Sequence, residues 1–175
     1  MFSVKVKVDK FQVALFFSWL AFTACAFIFL TIERIAEFDP NGVLENTSRA
    51  ELVNRIFANN QPLNNASTIV NFYQADCACN SVSQNHITQL EQVAKKNGYE
   101  FVNVEASDKY SVPSTPSIAI IGESSELIYF GPYGEGLGCT QTNGFATTVL
   151  ENHLKGFSAN LIISSAKGCY CNTGS

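Results

Sequence analysis

The spacing of apolar positions changes several times along this chain, and each change marks an element. Residues 11–32 carry no charge and are mostly apolar, with Gln12 near the start and Trp19 inside the run. At about 1.5 Å per residue, a helix over this stretch reaches the ~30 Å of a hydrocarbon core. A turn-forming cluster follows at Asp39, Pro40, Asn41 and Gly42. Ser48 and Glu51 then have capping-box spacing, and Leu52, Ile56 and Phe57 continue as a helical stripe that should end near Asn59 and Asn60, ahead of Pro62.

The period then shortens. Thr68–Tyr73 is rich in β-branched and aromatic residues and reads as a buried strand. From residue 81 to 97 apolar groups return at Val82, Ile87, Leu90, Val93 and Ala94, a helical period closed by Gly98 at the C′ position. Residues 99–105 make a second strand. Ser117–Ile121 is apolar and β-branched, and after a turn at 122–126 the stretch 127–130 pairs with it as a hairpin. Residues 131–144 hold five glycines and read as a loop. A last helix covers Phe145–Leu154, with Phe145, Val149 and His153 on one face. The order β-α-β, then β-β-α makes the first two strands parallel with a right-handed crossover. No internal repeat and no low-complexity tract interrupts it.

Charge sets the expected topology. Residues 1–10 contain Lys5, Lys7 and Lys10 against Asp9, a net of +2, so the rest of a chain whose total is −4 carries −6. Lysines before the apolar run and Glu33, Glu37 and Asp39 after it place the N-terminus in the cytoplasm and the remainder across the membrane. A cleaved signal peptide would have a shorter apolar core, and a lipoprotein reading at Cys25 would want a polar tether after it rather than an apolar run, so an uncleaved anchor is expected. The expected divisions are 1–10 cytoplasmic, 11–32 transmembrane, 33–65 tether and extra helix, 66–156 the main domain, and 157–175 a C-terminal extension. No basic patch suited to nucleic acid is present; Lys95 and Lys96 fall at a helix C-terminus, where the dipole favours cations. The main domain is large enough for its own core, so disulfides are not required to hold it together.

Six cysteines carry the candidate chemistry. With Cys25 in the apolar run, five remain outside: Cys77, Cys79, Cys139, Cys169 and Cys171. Four form two Cys-x-Cys pairs. Cys77-Ala78-Cys79 follows a strand and opens a helix, where the helix dipole and free N–H groups stabilise a thiolate; Asp76 opposes that effect if it points the same way. An exported location permits disulfides.

The stretch from Val70 through Phe72, Tyr73, Ala75 and Asp76 to Cys77 and Cys79, together with Val112-Pro113-Ser114-Thr115-Pro116, resembles the thioredoxin-like superfamily. The resemblance covers roughly residues 66–156. It is similar in particular to a family of bacterial membrane-anchored thioredoxin-like proteins of unknown function with a Cys-x-Cys motif, including Gly131-Pro132-Tyr133 and Asn143-Gly144-Phe145. The resemblance implies an α/β thioredoxin-like fold with a four-stranded mixed sheet, Cys77 as attacking thiol, Cys79 as resolving thiol, and a cis bond before Pro116 facing them. It implies protein thiols and disulfides as partners and the periplasmic face of a bacterial inner membrane as location. The chain departs from the superfamily in having one residue between its cysteines, in reducing a helix to about residues 107–110, and in carrying the second pair, Cys169 and Cys171.

These departures leave three readings open. A Cys77–Cys79 disulfide would close a small, strained and readily reduced ring. Either cysteine can instead bond to Cys169 or Cys171, the second pair serving as a redox relay or a structural clamp. Alternatively, Cys77, Cys79, Cys169 and Cys171 hold Cu⁺ or Zn²⁺ as thiolates; the thiol–disulfide readings require no cofactor. His86 lies about 10 Å along the helix from Cys79, too far for a base acting on Cys77, and is expected to be a partly buried structural residue. Gly134–Gly138 lacks the strand–helix context of a phosphate loop.

Overall fold

A computed structural model describes residues 9–32, 35–59, 67–136, 144–157 and 160–174. The chain divides into two units, one ending at Arg34 and one beginning at Ile35. The first contains a single helix, α1 (Lys10–Ile32), of 23 residues. It is long and apolar enough to cross a membrane. Its Thr23 hydroxyl donates to the carbonyls of Trp19 and Leu20, at 3.0 and 2.9 Å, so this polar group in mid-helix is satisfied internally.

The second unit runs β1 (Ala36–Glu37), α2 (Arg49–Asn59), β2 (Thr68–Tyr73), α3 (Cys79–Lys96), β3 (Glu100–Glu105), a 3₁₀ turn (Asp108–Tyr110), β4 (Ser114–Thr115), β5 (Ser117–Ile121), β6 (Leu127–Pro132), α4 (Phe145–Leu154), β7 (Leu161–Ile162), β8 (Lys167–Gly168) and β9 (Cys171–Asn172). Its main sheet has five strands in the order β3-β2-β5-β6-β7. The β2–β3 and β6–β7 pairs are parallel; β2–β5 and β5–β6 are antiparallel. The four-stranded expectation is therefore corrected to five, because a strand from the C-terminal extension joins the edge at β6. Two residues are enough to form it, and so short a strand leaves no readable period.

Both faces of the sheet are covered, which is why β2 and β5 read as continuous apolar runs rather than alternating ones. Ile69, Ile118 and Ile120 face α3 and α4 with Leu90 and Leu150. Val70, Phe72, Ala119 and Ile121 face the other way, onto Leu52 and Ile56 of α2. Phe38 and Tyr170 join that second cluster with ring centroids 5.3 Å apart. The segment expected to be a tether is thus built into the domain from Ile35 onward: β1 pairs with β8, Phe38 is fully buried, and the Phe38 N–H donates to Ala166. Polar Asp39 is consumed locally, accepting from the N–H groups of Val43 and Leu44 at 2.8 Å.

Local signals agree with the observed boundaries. The Glu51 N–H donates to the Ser48 hydroxyl at 3.2 Å, half of a capping box. Gly98 ends α3 at φ +78°, a conformation that glycine adopts without strain. Helix α1 and strand β3 start one residue from their predicted positions, while α3 opens two residues early, at Cys79 rather than Ser81, because the Asn80 and Ser81 N–H groups form first-turn bonds to the Cys77 and Ala78 carbonyls.

One polar chain runs through the interior. Tyr133 donates to Asn71 Oδ1 at 2.7 Å, and Asn71 Nδ2 donates to Asn103 Oδ1 at 2.7 Å. Asn71 and Asn103 are register partners in β2 and β3. Burial pushes the Tyr133 phenol well above its ordinary range, so it stays a donor at every physiological pH. Removing this hydroxyl leaves a buried amide oxygen without its donor. Tyr133→Phe is expected to cost about 1–3 kcal/mol and to lower the thermal midpoint by about 3–8 °C. Thermal unfolding followed by circular dichroism checks this; an unchanged midpoint would mean the chain of amides contributes nothing.

Candidate functional site

The site is built where β2 ends and α3 begins. The chain leaves Tyr73, turns through residues 74–78 and enters α3. Gln74 holds the turn: its carbonyl accepts from the Cys77 N–H at 3.1 Å and from Asn80 Nδ2 at 2.6 Å. The N-cap of α3 is Ala78, which supplies no capping side chain, and the first turn contains no acidic residue. The positive end of an 18-residue helix therefore meets the two sulfurs without a competing carboxylate in that turn.

Each cysteine of this turn is bonded to the C-terminal tail. Cys77 is disulfide-bonded to Cys171 with Cα atoms 5.9 Å apart, and Cys79 to Cys169 with Cα atoms 5.5 Å apart. The first cysteine of one motif joins the second of the other, so the motifs meet antiparallel. The small Cys77–Cys79 ring considered from the sequence does not form, and Cys169 and Cys171 are not a separate pair bonded to each other. Cys77 and Cys79 are buried, whereas Cys169 and Cys171 are half-buried.

The chain leaves β8 at Gly168, bends at Cys169 and enters β9 at Cys171. Cys169 and Cys171 both reach the turn before α3, while Tyr170 between them turns into the core. Tyr170 stacks edge-on against Phe38 and donates its hydroxyl to the Gly134 carbonyl at 2.6 Å. Gly168 lies so close to this ring that an added Cβ would come within 2.9 Å of it.

Pro116 stands beside the sulfurs. The Thr115–Pro116 bond is cis. Cys77 Sγ lies 3.7 Å from the Thr115 carbonyl oxygen. Strand β4, immediately before Pro116, pairs antiparallel with β9, with Thr115 opposite Cys171 and Ser114 opposite Asn172. The Thr115 hydroxyl donates to Gln74 Oε1 at 3.0 Å. Thr173 locks the end of the tail: its N–H donates to the Pro113 carbonyl at 3.1 Å and its hydroxyl bonds the Val112 carbonyl. Gln74, Thr115, Tyr170 and Thr173 have no role assigned from the sequence, although Thr115 and Tyr170 lie inside its motifs; the placement of the two Cys-x-Cys pairs brings them together.

A cleft of about 260 Å³ opens onto this arrangement, lined by Gln74, Asp76, Cys77, Glu105 and Cys171. It reaches the Cys77–Cys171 bond; each of the two disulfides joins one buried and one half-buried cysteine. Cys139 lies outside the described residues. His86, on α3, is buried, its Nδ1 has no hydrogen-bond partner among the described residues, and desolvation lowers its pKa from the usual histidine value.

The two disulfides span 94 and 90 residues. In the chain-entropy description a first crosslink of that span contributes about 4–5 kcal/mol. Once it exists, the second closes a ring of only a few residues and adds about 2 kcal/mol. Replacing Cys79 and Cys169 together by serine, or Cys77 and Cys171 together, is therefore expected to cost about 2 kcal/mol, while replacing all four costs about 6–7 kcal/mol. Thermal unfolding of the full-length chain in detergent reads the difference. Losses that simply add would contradict crosslinking of the turn to the tail.

No curated protein matches the sequence. The crystal structure of an uncharacterized conserved protein from Geobacillus kaustophilus is similar at 13% identity and a TM-score of 0.49, over 62% of this chain and 77% of that one. A family model described as a domain of unknown function, DUF6436, matches residues 46–173, a stretch that contains both Cys-x-Cys motifs and leaves α1 outside. On that match, over most of its length, the chain belongs to the DUF6436 family.

Proposed function

We propose that this chain is a membrane-anchored thiol–disulfide exchange protein of thioredoxin-like fold, with α1 as the anchor and the domain on the oxidising, periplasmic side of a bacterial inner membrane. The observation that carries the reading is the crossed bonding of Cys77-Ala78-Cys79 to Cys169-Tyr170-Cys171, at a helix start and beside the cis bond before Pro116. The three lysines among the first ten residues and the acidic residues after α1 support the orientation.

The exchange follows from access and leaving-group chemistry. The cleft exposes the Cys77–Cys171 bond, and of its two sulfurs that of half-buried Cys171 is the open one. A thiolate of a protein dithiol attacks Cys171 Sγ; the Cys77–Cys171 bond breaks, and Cys77 leaves as a thiolate favoured by the start of α3. The second thiol of the partner, once deprotonated, attacks the mixed disulfide. The partner departs as a disulfide, Cys171 is released, and two electrons have passed to the protein with the two protons given up by the partner. Once a second partner dithiol has reduced the Cys79–Cys169 bond in the same way, the freed Cys79 thiolate can attack a mixed disulfide at Cys77 and release the bound partner sulfur as a thiolate; Pro116 with Thr115 shapes the groove in which the tail lies.

The test is electron transfer from a reduced, disulfide-requiring protein to the oxidised full-length chain in detergent, followed by alkylation. Transfer is expected to slow by about tenfold or more in the Cys77→Ser/Cys171→Ser variant, which lacks the accessible bond, and to be unchanged in Cys25→Ser. Equal rates in all three proteins would reject the exchange reading.

A further inference from the structure

Crossing two disulfides places four sulfurs in one small volume, and that has a consequence for the reduced protein. The Sγ atoms of Cys77, Cys79 and Cys171 all lie within 4.8 Å of one another. Cys169 Sγ stands outside that mutual set but one bond away from it, joined to Cys79 Sγ. Four thiolates around Zn²⁺ at about 2.3 Å stand about 3.8 Å apart. Reaching that spacing asks the three clustered sulfurs to move by about an ångström and each bonded pair to open by somewhat more, movements that side-chain rotations can supply.

We infer that the reduced form of this site is a zinc site with Cys77, Cys79, Cys169 and Cys171 as its four ligands, so that metal and disulfide are alternative occupants of the same sulfurs. The electron count closes with a dithiol reductant. Two dithiol molecules each become a disulfide, both protein disulfides become thiol pairs, and Zn²⁺ then replaces four thiol protons. Two molecules of a disulfide oxidant reverse this, each being reduced to a dithiol as one protein disulfide re-forms; a sulfur in a disulfide has no thiolate to donate, and the ion leaves. The finished centre carries a net charge of −2, which the uncapped N-terminus of α3 at Cys79 offsets in part. Four soft donors converging from two short segments form a closed tetrahedral set, the arrangement that zinc takes in structural sites. The surroundings are prepared to hold the tail in either state, since Tyr170 and Thr173 anchor it through bonds that involve no cysteine.

The experiment uses the full-length chain in detergent, with Cys25 and Cys139 replaced by serine. It is reduced without oxygen and titrated with Co²⁺ and then Zn²⁺, while circular dichroism monitors folding. The expected result is one ion per chain, a thiolate-to-cobalt charge-transfer band with the strong visible bands of tetrahedral Co²⁺, and four thiols protected from alkylation. Cys171→Ser should weaken Zn²⁺ binding about a hundredfold, the share of one ligand in a four-ligand site. The oxidised chain should bind none. The inference is overturned if the reduced chain stays folded without taking up metal, if it unfolds and Zn²⁺ does not refold it, or if the oxidised chain or the Cys77→Ser/Cys79→Ser variant binds Zn²⁺ equally. These readouts are of binding and do not depend on whether the oxidised chain exchanges disulfides.

Discussion

Two sulfur–sulfur bonds between the turn before α3 and the last strand hold the rest of this domain in register. Through them the C-terminal tail is bound to residues 77–79, and the tail in turn ties down elements that have little of their own to hold them. Strand β8 pairs with β1, and β9 with β4, each over two residues. A pairing that short is marginal by itself. Anchored at Cys169 and Cys171, both pairings instead close over a hydrophobic cluster that includes Phe38 and Tyr170. The entropy removed from the unfolded chain by a crosslink of about 90 residues is thereby spent on ordering the tail and the segment after α1.

The same constraint decides the chemistry. A Cys-x-Cys motif bonded within itself would form a small ring. Bonded across to Cys169-Tyr170-Cys171, which bends at Cys169, it takes both sulfurs of the tail while the Tyr170 ring between them packs against Phe38. Residue 115 lies opposite Cys171 in β4–β9, so the tail lies along the segment that leads into Pro116. The site, the tail and the core are thus one structure, and a change in the state of the sulfurs acts on all three.

Much of this was readable from the residues. The strand at Thr68–Tyr73, the helix after it, its glycine stop at Gly98, the hairpin of β5 and β6 and the final helix each rest on a strong local period or cap, and each is present. The start of α3 beside a Cys-x-Cys pair was equally visible. What sequence could not supply was connectivity, since four cysteines allow three pairings and spacing alone does not choose among them. Nor did it reveal the two-residue strands β1, β4, β7, β8 and β9, which are too short to have a period. Phe38 stands beside Asp39-Pro40, and the turn residues outweighed an aromatic that buries completely. Tyr170 likewise gains meaning only from its position between two bonded cysteines.

The most direct measurement is a tryptic map of the oxidised full-length chain without reductant. Cleavage after Arg55, Lys95 and Lys167 places Cys77 and Cys79 on a peptide of residues 56–95, and Cys169 and Cys171 on one of residues 168–175. The account predicts a single species with the combined mass of the two peptides, which separates only when reductant is added. Two separate peptides, each carrying its own internal disulfide before any reduction, would contradict it.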